Sequence, residues 1–160
     1  MATSTLLQKL DILDSDGNAY GVNTSNRRQI EWFIADAAIG LGDSVTFDAV
    51  DSGGAECTIK VIESPANKST IGVALDAAAA AGDKIRVCLA GICEAQVEGK
   101  DQSGNAAINA GDYLCVGAVA GTFYKYGHHA NDKIPTAIAV DNVGSGDAAA
   151  QKTIIMLKQF

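Results

Sequence analysis

The clearest pattern along the chain is a glycine–aspartate pair followed by alternating polar and apolar positions. It occurs at Gly42-Asp43, Gly82-Asp83 and Gly111-Asp112, and each time the second and fourth residues after the aspartate are apolar. Glycine accepts the positive φ of a tight turn, and aspartate can hydrogen-bond the backbone that follows it. Alternation with a period of two is typical of a strand that buries one face. The pattern therefore predicts three β-strands, each beginning directly after its aspartate.

A longer duplication overlaps this pattern. The apolar segment 70–75 is similar to 136–140, and each is followed by an aspartate, Asp76 or Asp141, at a separation of 65 residues. Each copy then leads through a connection rich in Gly and Ala into a second apolar segment. Self-similarity of this kind indicates a repeated structural unit. The unit predicted here is a strand, a short connection and a second strand, used twice.

Two segments also have features of a helix. Asp76 is a suitable N-cap for a turn or two of helix over residues 77–81, and Gly82 is a suitable C-terminal stop. Apolar residues in segment 26–39 fit both the alternation of a strand and one face of a helix. We interpret this second segment as a strand followed by a turn.

Further strands are predicted at 57–62, 95–98 and 122–126. Short strands at close spacing, separated by turns of Gly and Asp, are typical of an all-β barrel or sandwich. The first 28 residues differ, because polar Thr, Ser, Asn and Gln dominate there. The expected fold class is all-β with one or two short helices: a small β-barrel or β-tulip-like domain at 29–160, preceded by an extended N-terminal arm at 1–28.

Composition and charge exclude several classes of partner. The 160 residues include 12 Lys and Arg against 19 Asp and Glu, which gives a formal net charge of −7. An acidic chain is poorly suited to phosphate backbones. No apolar run approaches the roughly 18 residues that cross a bilayer, and the N-terminus lacks the features of a secretory signal. We therefore expect neither nucleic acid nor membrane as a partner, and a chain that stays in the cytoplasm unless assembly carries it elsewhere.

The cysteines allow two interpretations. The four of them, at positions 57, 88, 93 and 115, form no C-x-x-C motif, so we interpret them as reduced and buried apolar residues. If Ala90-Gly91 is a two-residue hairpin turn, however, Cys88 and Cys93 face each other across two strands and could be oxidised to a disulfide. A reducing cytosol favours the free thiols.

Residues that commonly carry chemistry do not combine into a site. The turn at Asp14 and Asp16 fails as a calcium loop, since Ala19 and Ser25 stand where Gly and Glu are required. His128-His129 would point to opposite sides of an extended segment and so would not easily share one metal ion. The chain has no G-x-S-x-G motif and no phosphate-binding glycine pattern. We expect no catalytic residue, no cofactor and no metal, and hence a protein that is not an enzyme.

Three blocks of sequence resemble a known family. They are ADAAIGLGDSVTF at 35–47, the block from IGVALD to AGDKIRVCLAG at 71–91, and INAGDYLCVG at 108–117. In their order they resemble the capsid decoration, or cement, proteins of tailed double-stranded DNA phages. The resemblance implies a structural virion protein, made in the host bacterial cytoplasm, that binds the major capsid protein on the outer surface of the head. It further implies a homotrimer at three-fold and quasi-three-fold positions that stabilises the head by bridging capsid subunits.

Four residues are candidates for contact with the capsid or between subunits: Arg27, Arg28, Trp32 and Phe33. Guanidinium groups suit bidentate pairing with carboxylates, so the two arginines would anchor the arm. Aromatic side chains dominate buried contacts, so the other two residues would lie in the core or at the trimer interface. Arginines that face solvent and ordinary core aromatics explain the same residues equally well.

Two other functions are compatible with an all-β module. One is a ligand- or receptor-binding module for carbohydrate or a cell surface, with its specificity in the loops at 101–105 and 127–132. The other is a trimeric nucleotide hydrolase of the dUTPase type, which the strand start at 82–85 resembles. The remaining motifs of that hydrolase family have no counterpart in this sequence.

Overall fold

The computed structural model describes residues 28–48, 60–66, 68–101, 104–127 and 134–157. This part of the chain contains eleven β-strands and no helix, which confirms the all-β fold class and contradicts the expected short helices. The strands are β1 (Gln29–Ala35), β2 (Ser44–Phe47), β3 (Lys60–Glu63), β4 (Gly72–Ala74), β5 (Lys84–Val97), β6 (Lys100–Asp101), β7 (Gly104–Asn105), β8 (Tyr113–Val116), β9 (Phe123–Lys125), β10 (Ala137–Ala139) and β11 (Ala150–Met156).

Strands β1 to β5 close into a five-stranded ring, here named barrel 1. The pairing runs from β1 through β3, β2, β4 and β5 and returns to β1. Only the contact between β1 and β3 is parallel. Apolar side chains that point inward from these strands are fully buried, among them Val45, Val61 and Ile85. These alternate with outward-facing residues along each strand, as a half-buried strand requires.

The second half of β5 begins a second ring with the same arrangement, here named barrel 2. Its pairing runs from β5 through β9, β8, β10 and β11 back to β5, and again only the first contact is parallel. Residues 84–90 of β5 pair with β1, whereas residues 91–97 pair with β11. One continuous strand is therefore a wall of both barrels.

The sequence repeat is also a repeat of backbone hydrogen bonds. In barrel 1, Ile39 and Ala78 exchange two N–H to C=O bonds, and in barrel 2 Ile108 and Val143 do the same. The β4–β5 and β10–β11 pairs, which the duplication predicts, stand at equivalent places in the two rings. The fold thus consists of one five-stranded unit used twice, with the units joined through a shared strand.

Four turns in the molecule have one construction. Each has a glycine at positive φ directly before an aspartate, and the glycines are Gly42 (85°), Gly82 (94°), Gly111 (93°) and Gly146 (87°). In each turn the aspartate carboxylate accepts a hydrogen bond from the backbone N–H three residues earlier, as Asp43 does from Gly40 at 2.6 Å. The three predicted strands begin where expected. The aspartate, however, binds the backbone before it rather than the backbone after it.

Residues 77–81 do not form the predicted helix. Ala78 forms the bridge to Ile39, which holds this segment across the barrel in extended contact. The Asp76 carboxylate does not cap a helix, because it accepts the backbone N–H of Arg86 and pairs with the guanidinium of that residue. A helix of so few residues has little stability of its own, so these tertiary bonds prevail.

The hairpin turn predicted at Ala90-Gly91 is also wrong, because β5 continues through it. Gly91 has a φ of 98°, and the register against β1 shifts at this point. The side chains of Cys88 and Cys93 are nevertheless hydrogen-bonded to each other, and both thiols are free. Cys115 is likewise buried and free, whereas Cys57 lies outside the described residues.

Several sequence predictions fall on other parts of the chain. The segment 26–39 contains β1, as the strand interpretation expected, and the strand predicted at 122–126 is β9. Residues 1–27 of the predicted arm lie outside the described residues, and so do the turn at Asp14 and the pair His128-His129. The arm and its boundary therefore stay predictions.

Candidate functional site: an apolar strand face and the contacts between the barrels

An exposed apolar face lies on the outer side of β1. Trp32 is 65% exposed, and together with Phe33, Ile34 and Lys84 it lines a shallow depression of about 370 Å³. Successive side chains of a strand point to opposite sides, so Trp32 and Ile34 face away from the core of barrel 1. We name this surface, formed by Ile30, Trp32, Ile34 and Lys84, the β1 face.

Phe33 points the other way. Its ring lies against the ring of Phe47 in an edge-to-face arrangement, with 6.0 Å between the centroids, and it packs on the core of barrel 1. Of the two aromatic residues that the sequence proposed for an interface, Trp32 is therefore on the surface. Phe33 is half-buried and packs against the core of barrel 1.

Barrel 2 provides an internal comparison for this face. Trp32 pairs with Arg86 across β1 and β5, and Glu94 pairs with Thr153 across β5 and β11. Arg86 and Thr153 are equivalent, because each donates its backbone N–H to the aspartate that follows the first strand of its repeat. An exposed glutamate thus stands in barrel 2 where barrel 1 has tryptophan. The barrel itself does not require an aromatic residue there.

An ion pair fixes the side chain that neighbours Trp32. Arg86 donates from Nε to Asp76 Oδ2 at 2.9 Å and from Nη2 to Asp76 Oδ1 at 2.7 Å. The hydrogen bonds from this guanidinium, and one from the Arg86 backbone N–H, lower the pKa of Asp76 to about 2. The carboxylate is therefore ionised throughout the physiological range, and the guanidinium is held in one position beside the β1 face.

A groove of about 360 Å³ lies between the two barrels. It is lined by Arg28, Leu41, Ala74, Leu75, Ile92, Cys93, Glu94, Gln151 and Thr153. The carbonyl of Leu41 accepts the side-chain amides of Gln96 at 3.2 Å and Gln151 at 3.3 Å, which ties a turn of barrel 1 to strands of barrel 2. The hydrogen bond that the Cys93 thiol donates to the sulfur of Cys88, together with burial, raises the pKa of Cys93, so this thiol stays protonated. A protonated thiol is a poor nucleophile.

A second contact joins the barrels through their backbones. Ser44 N–H donates to Gly121 C=O at 2.7 Å, and Gly121 N–H donates to Ser64 C=O at 3.0 Å. Gly121 has a φ of 73°, and a Cβ at this position would collide with the Glu63 carboxylate. Only glycine fits between the strands of barrel 1 in this way. Sequence reasoning missed this contact, since nothing around Gly121 distinguishes it from other loop glycines.

The same junction contains two carboxyl groups of raised pKa. Burial raises the pKa of Asp43 and of Glu63, and the charge of Asp43 raises that of Glu63 further. At the equivalent place in barrel 2, Lys125 replaces the glutamate and forms an ion pair with Asp112 at 2.7 Å. There the Asn109 backbone N–H and the lysine lower the pKa of Asp112. At the contact between the barrels, one carboxylate thus disfavours the ionisation of its neighbour, whereas the equivalent place in barrel 2 has a favourable ion pair.

The candidate residues from the sequence do not form one site. Arg28 lines the groove, Trp32 lies on the β1 face and Phe33 packs inward, while Arg27 is outside the described residues. In the described ranges no three His, Cys, Asp or Glu side chains are close enough together to hold a metal ion. The same part of the chain has no helix long and apolar enough to cross a membrane.

Comparison with known proteins yields one fold relationship of interest. No protein-family model matches this chain, and no curated protein matches it either. The structure is similar to the crystal structure of the N base of head fiber gp8.5 in bacteriophage phi29, with a TM-score of 0.52 and 17% sequence identity. The similarity covers 82% of this chain and 95% of that chain. At this level of identity, the relationship shows that the two proteins share a fold.

Proposed function

We propose that this chain is a structural protein of a phage virion that acts without catalysis. The observation that carries the proposal is the fold shared, over most of both chains, with the base of a phage head fiber. The sequence resemblance to head decoration proteins supports the same class independently, because it rests on turn and strand motifs and not on the overall structure. In its finer form the proposal is a homotrimer that binds the major capsid protein on the outer surface of the head and stabilises it by bridging subunits.

The β1 face is the surface we propose for contact with the capsid. It is largely apolar and exposed, and the counterpart of Trp32 in barrel 2 is Glu94, so the fold does not account for the tryptophan. A tryptophan flanked by a fixed guanidinium is a frequent anchor in protein interfaces. Many identical contacts over a shell would then give stable attachment even where each contact is modest.

A binding experiment on phage heads tests the proposal. Purified protein is added to heads that lack it, and bound protein is measured after sedimentation. We expect saturable binding, and we expect Trp32→Glu to weaken it about tenfold or more, because truncated interface anchors have effects of this size. The matched control is Val140→Glu, which alters an exposed apolar residue of barrel 2. Absence of any binding to heads by the unmodified protein would contradict the proposed function.

The alternative of a ligand- or receptor-binding module predicts binding to glycans or cells without any capsid. Most of its proposed loop at 127–132 lies outside the described residues, whereas the loop at 101–105 is described except for residues 102 and 103. The same purified protein separates the two functions when it is tested both on a glycan array and on phage heads. Binding to glycans without binding to heads would favour the ligand-binding module.

A further inference from the structure

The backbone contact at Gly121 occupies a defined place in barrel 1. At the start of β2, Ser64 N–H donates to Ser44 C=O at 2.8 Å, but the reciprocal bond of a regular antiparallel pair is replaced. The Ser44 N–H and the Ser64 C=O instead bind the C=O and N–H of Gly121. We name this opening, bounded by the two serines, the notch of barrel 1.

Barrel 2 has the same notch at Tyr113 and Tyr126. Tyr126 N–H donates to Tyr113 C=O at 2.8 Å, as Ser64 does to Ser44. The carbonyls on either side of Tyr113 accept bonds from the β10 side: Asp112 from Ala139, and Leu114 from Thr136, the residue before β10. The N–H of Tyr113 therefore points away from that strand. Within the described residues, neither this N–H nor the Tyr126 C=O has a hydrogen-bond partner.

The two notches differ in exposure. Ser44 and Ser64 are fully buried, whereas Tyr113 is 53% exposed and Tyr126 39% exposed. Tyrosine combines a large apolar area with a polar end, and it is enriched in protein interfaces. Two tyrosines thus flank an open backbone donor and acceptor at the place where barrel 1 receives another barrel.

We propose that the notch of barrel 2 binds the backbone of a second copy of this chain, in the way that the notch of barrel 1 binds Gly121. The argument is continuity with the contact already present inside the molecule. Within one chain, the notch of barrel 1 meets barrel 2. If the contact is repeated between chains, the notch of barrel 2 meets barrel 1 of the next copy. Such a contact is head-to-tail, and it closes into a ring when the rotation between copies permits.

This inference deepens the oligomeric part of the proposed function by naming its surface, and it does not depend on the capsid. Self-association can therefore fail while binding to heads succeeds, or the reverse. The β1 face lies on barrel 1, whereas the notch of barrel 2 lies at β8 and beside the end of β9, so the two surfaces can be altered separately.

Sedimentation equilibrium of the full chain provides the first test. We expect the unmodified protein to sediment as a multiple of its 16.4 kDa mass. The double variant Tyr113→Glu with Tyr126→Glu should dissociate at concentrations about tenfold higher or more, since charge would be placed in a buried contact. Ile134→Glu is the matched control, because it changes an exposed apolar residue of barrel 2 outside the notch, and it should keep the oligomer. A monomeric unmodified protein, or a double variant that associates as strongly as the unmodified protein, would overturn the proposal.

A cross-linking experiment keeps the proposal testable if the double variant does not fold. A photo-reactive benzoylphenylalanine replaces Tyr113 in protein that is an equal mixture of light and heavy isotope labels. We expect mixed light–heavy cross-linked peptides that join position 113 to barrel 1 of another copy. Cross-links confined to one chain would mean that another segment of the same chain fills the notch, and would overturn the inference.

Discussion

Gly121 carries more of the contact between the barrels than its size suggests. Its peptide group supplies both hydrogen bonds of the notch in barrel 1, and a side chain there would meet Glu63. We expect Gly121→Ala to lower the free energy of unfolding by about 1–3 kcal/mol, because backbone strain and a steric collision add. Urea denaturation measures the effect. Gly82→Ala is the matched control, since Gly82 also has positive φ but open space around it, and it should cost less.

The carboxyl group of Glu63 makes the junction sensitive to pH. Its pKa is raised in the folded state, so folding favours the protonated form of Glu63. The stability that depends on this protonated carboxyl group is present at acid pH and is lost as the pH rises through the folded pKa. We expect Glu63→Gln to raise stability at pH 7 and to leave it nearly unchanged near pH 4. Urea midpoints at the two pH values test this, with exposed Glu94→Gln as control. An equal shift at both pH values would contradict the electrostatic explanation.

The contribution of Asp76 to stability has the opposite pH dependence. Its pKa of about 2 in the folded protein lies below the value of 3.8 of a free aspartate, so its contribution is present above pH 4 and is lost as the pH falls toward 2. The ion pair with Arg86 is exposed to solvent, and exposed pairs contribute little to stability because water and salt screen them. We therefore expect Asp76→Asn to have a small effect at pH 7 that disappears in strong acid, measured by urea denaturation.

At the scale of single residues, sequence reasoning succeeded where the cause is local. The turn at a glycine–aspartate pair is formed by neighbouring residues alone, so three strand starts were predictable from four-residue patterns. The notch contact was not predictable, because Ser44, Ser64 and Gly121 come from distant parts of the chain and none has an unusual neighbourhood.

Among the elements, β1 is the one whose surface bears most on function. Its pattern was ambiguous between strand and helix, and the pairing with β5 settles it as a strand. The helix expected at 77–81 failed for the converse reason, since a segment too short to be stable alone adopts whatever its tertiary bonds impose. The sequence predicted that Cys88 and Cys93 lie close together, but it did so through a hairpin turn at Ala90-Gly91 that the structure does not contain. The two thiols are nevertheless hydrogen-bonded to each other within continuous β5, where Gly91 between them has positive φ.

The predicted arm is tested as an element by deletion. We expect a chain that lacks residues 1–28 to keep its β-sheet circular dichroism and its Trp32 fluorescence, because both barrels begin at or after β1. If the arm contributes contacts through Arg27, binding to heads should weaken while the fold stays intact. Equal binding by the full and the shortened chain would remove the arm from the account.

For the whole molecule, the shared strand predicts one cooperative unfolding transition. Phe123 is fully buried in barrel 2, and Phe123→Ala should lower stability by about 3–5 kcal/mol. The single tryptophan, Trp32, reports on barrel 1. We expect its fluorescence transition to shift as far as the circular dichroism of the whole chain. A barrel 1 signal that does not move would mean that the two barrels unfold separately.

The double use of β5 also bears on how this protein can be engineered. Residues up to Ala90 contain every strand segment that barrel 1 uses, and residues from Gly91 onward contain those of barrel 2. New termini at the Ala90–Gly91 bond would leave each barrel with all of its strand segments. A cut elsewhere within 84–97 would remove part of β5 from one of the two barrels. The Ala90–Gly91 bond is therefore the position at which the chain is best divided for gene fusions, split reporters or circular permutation.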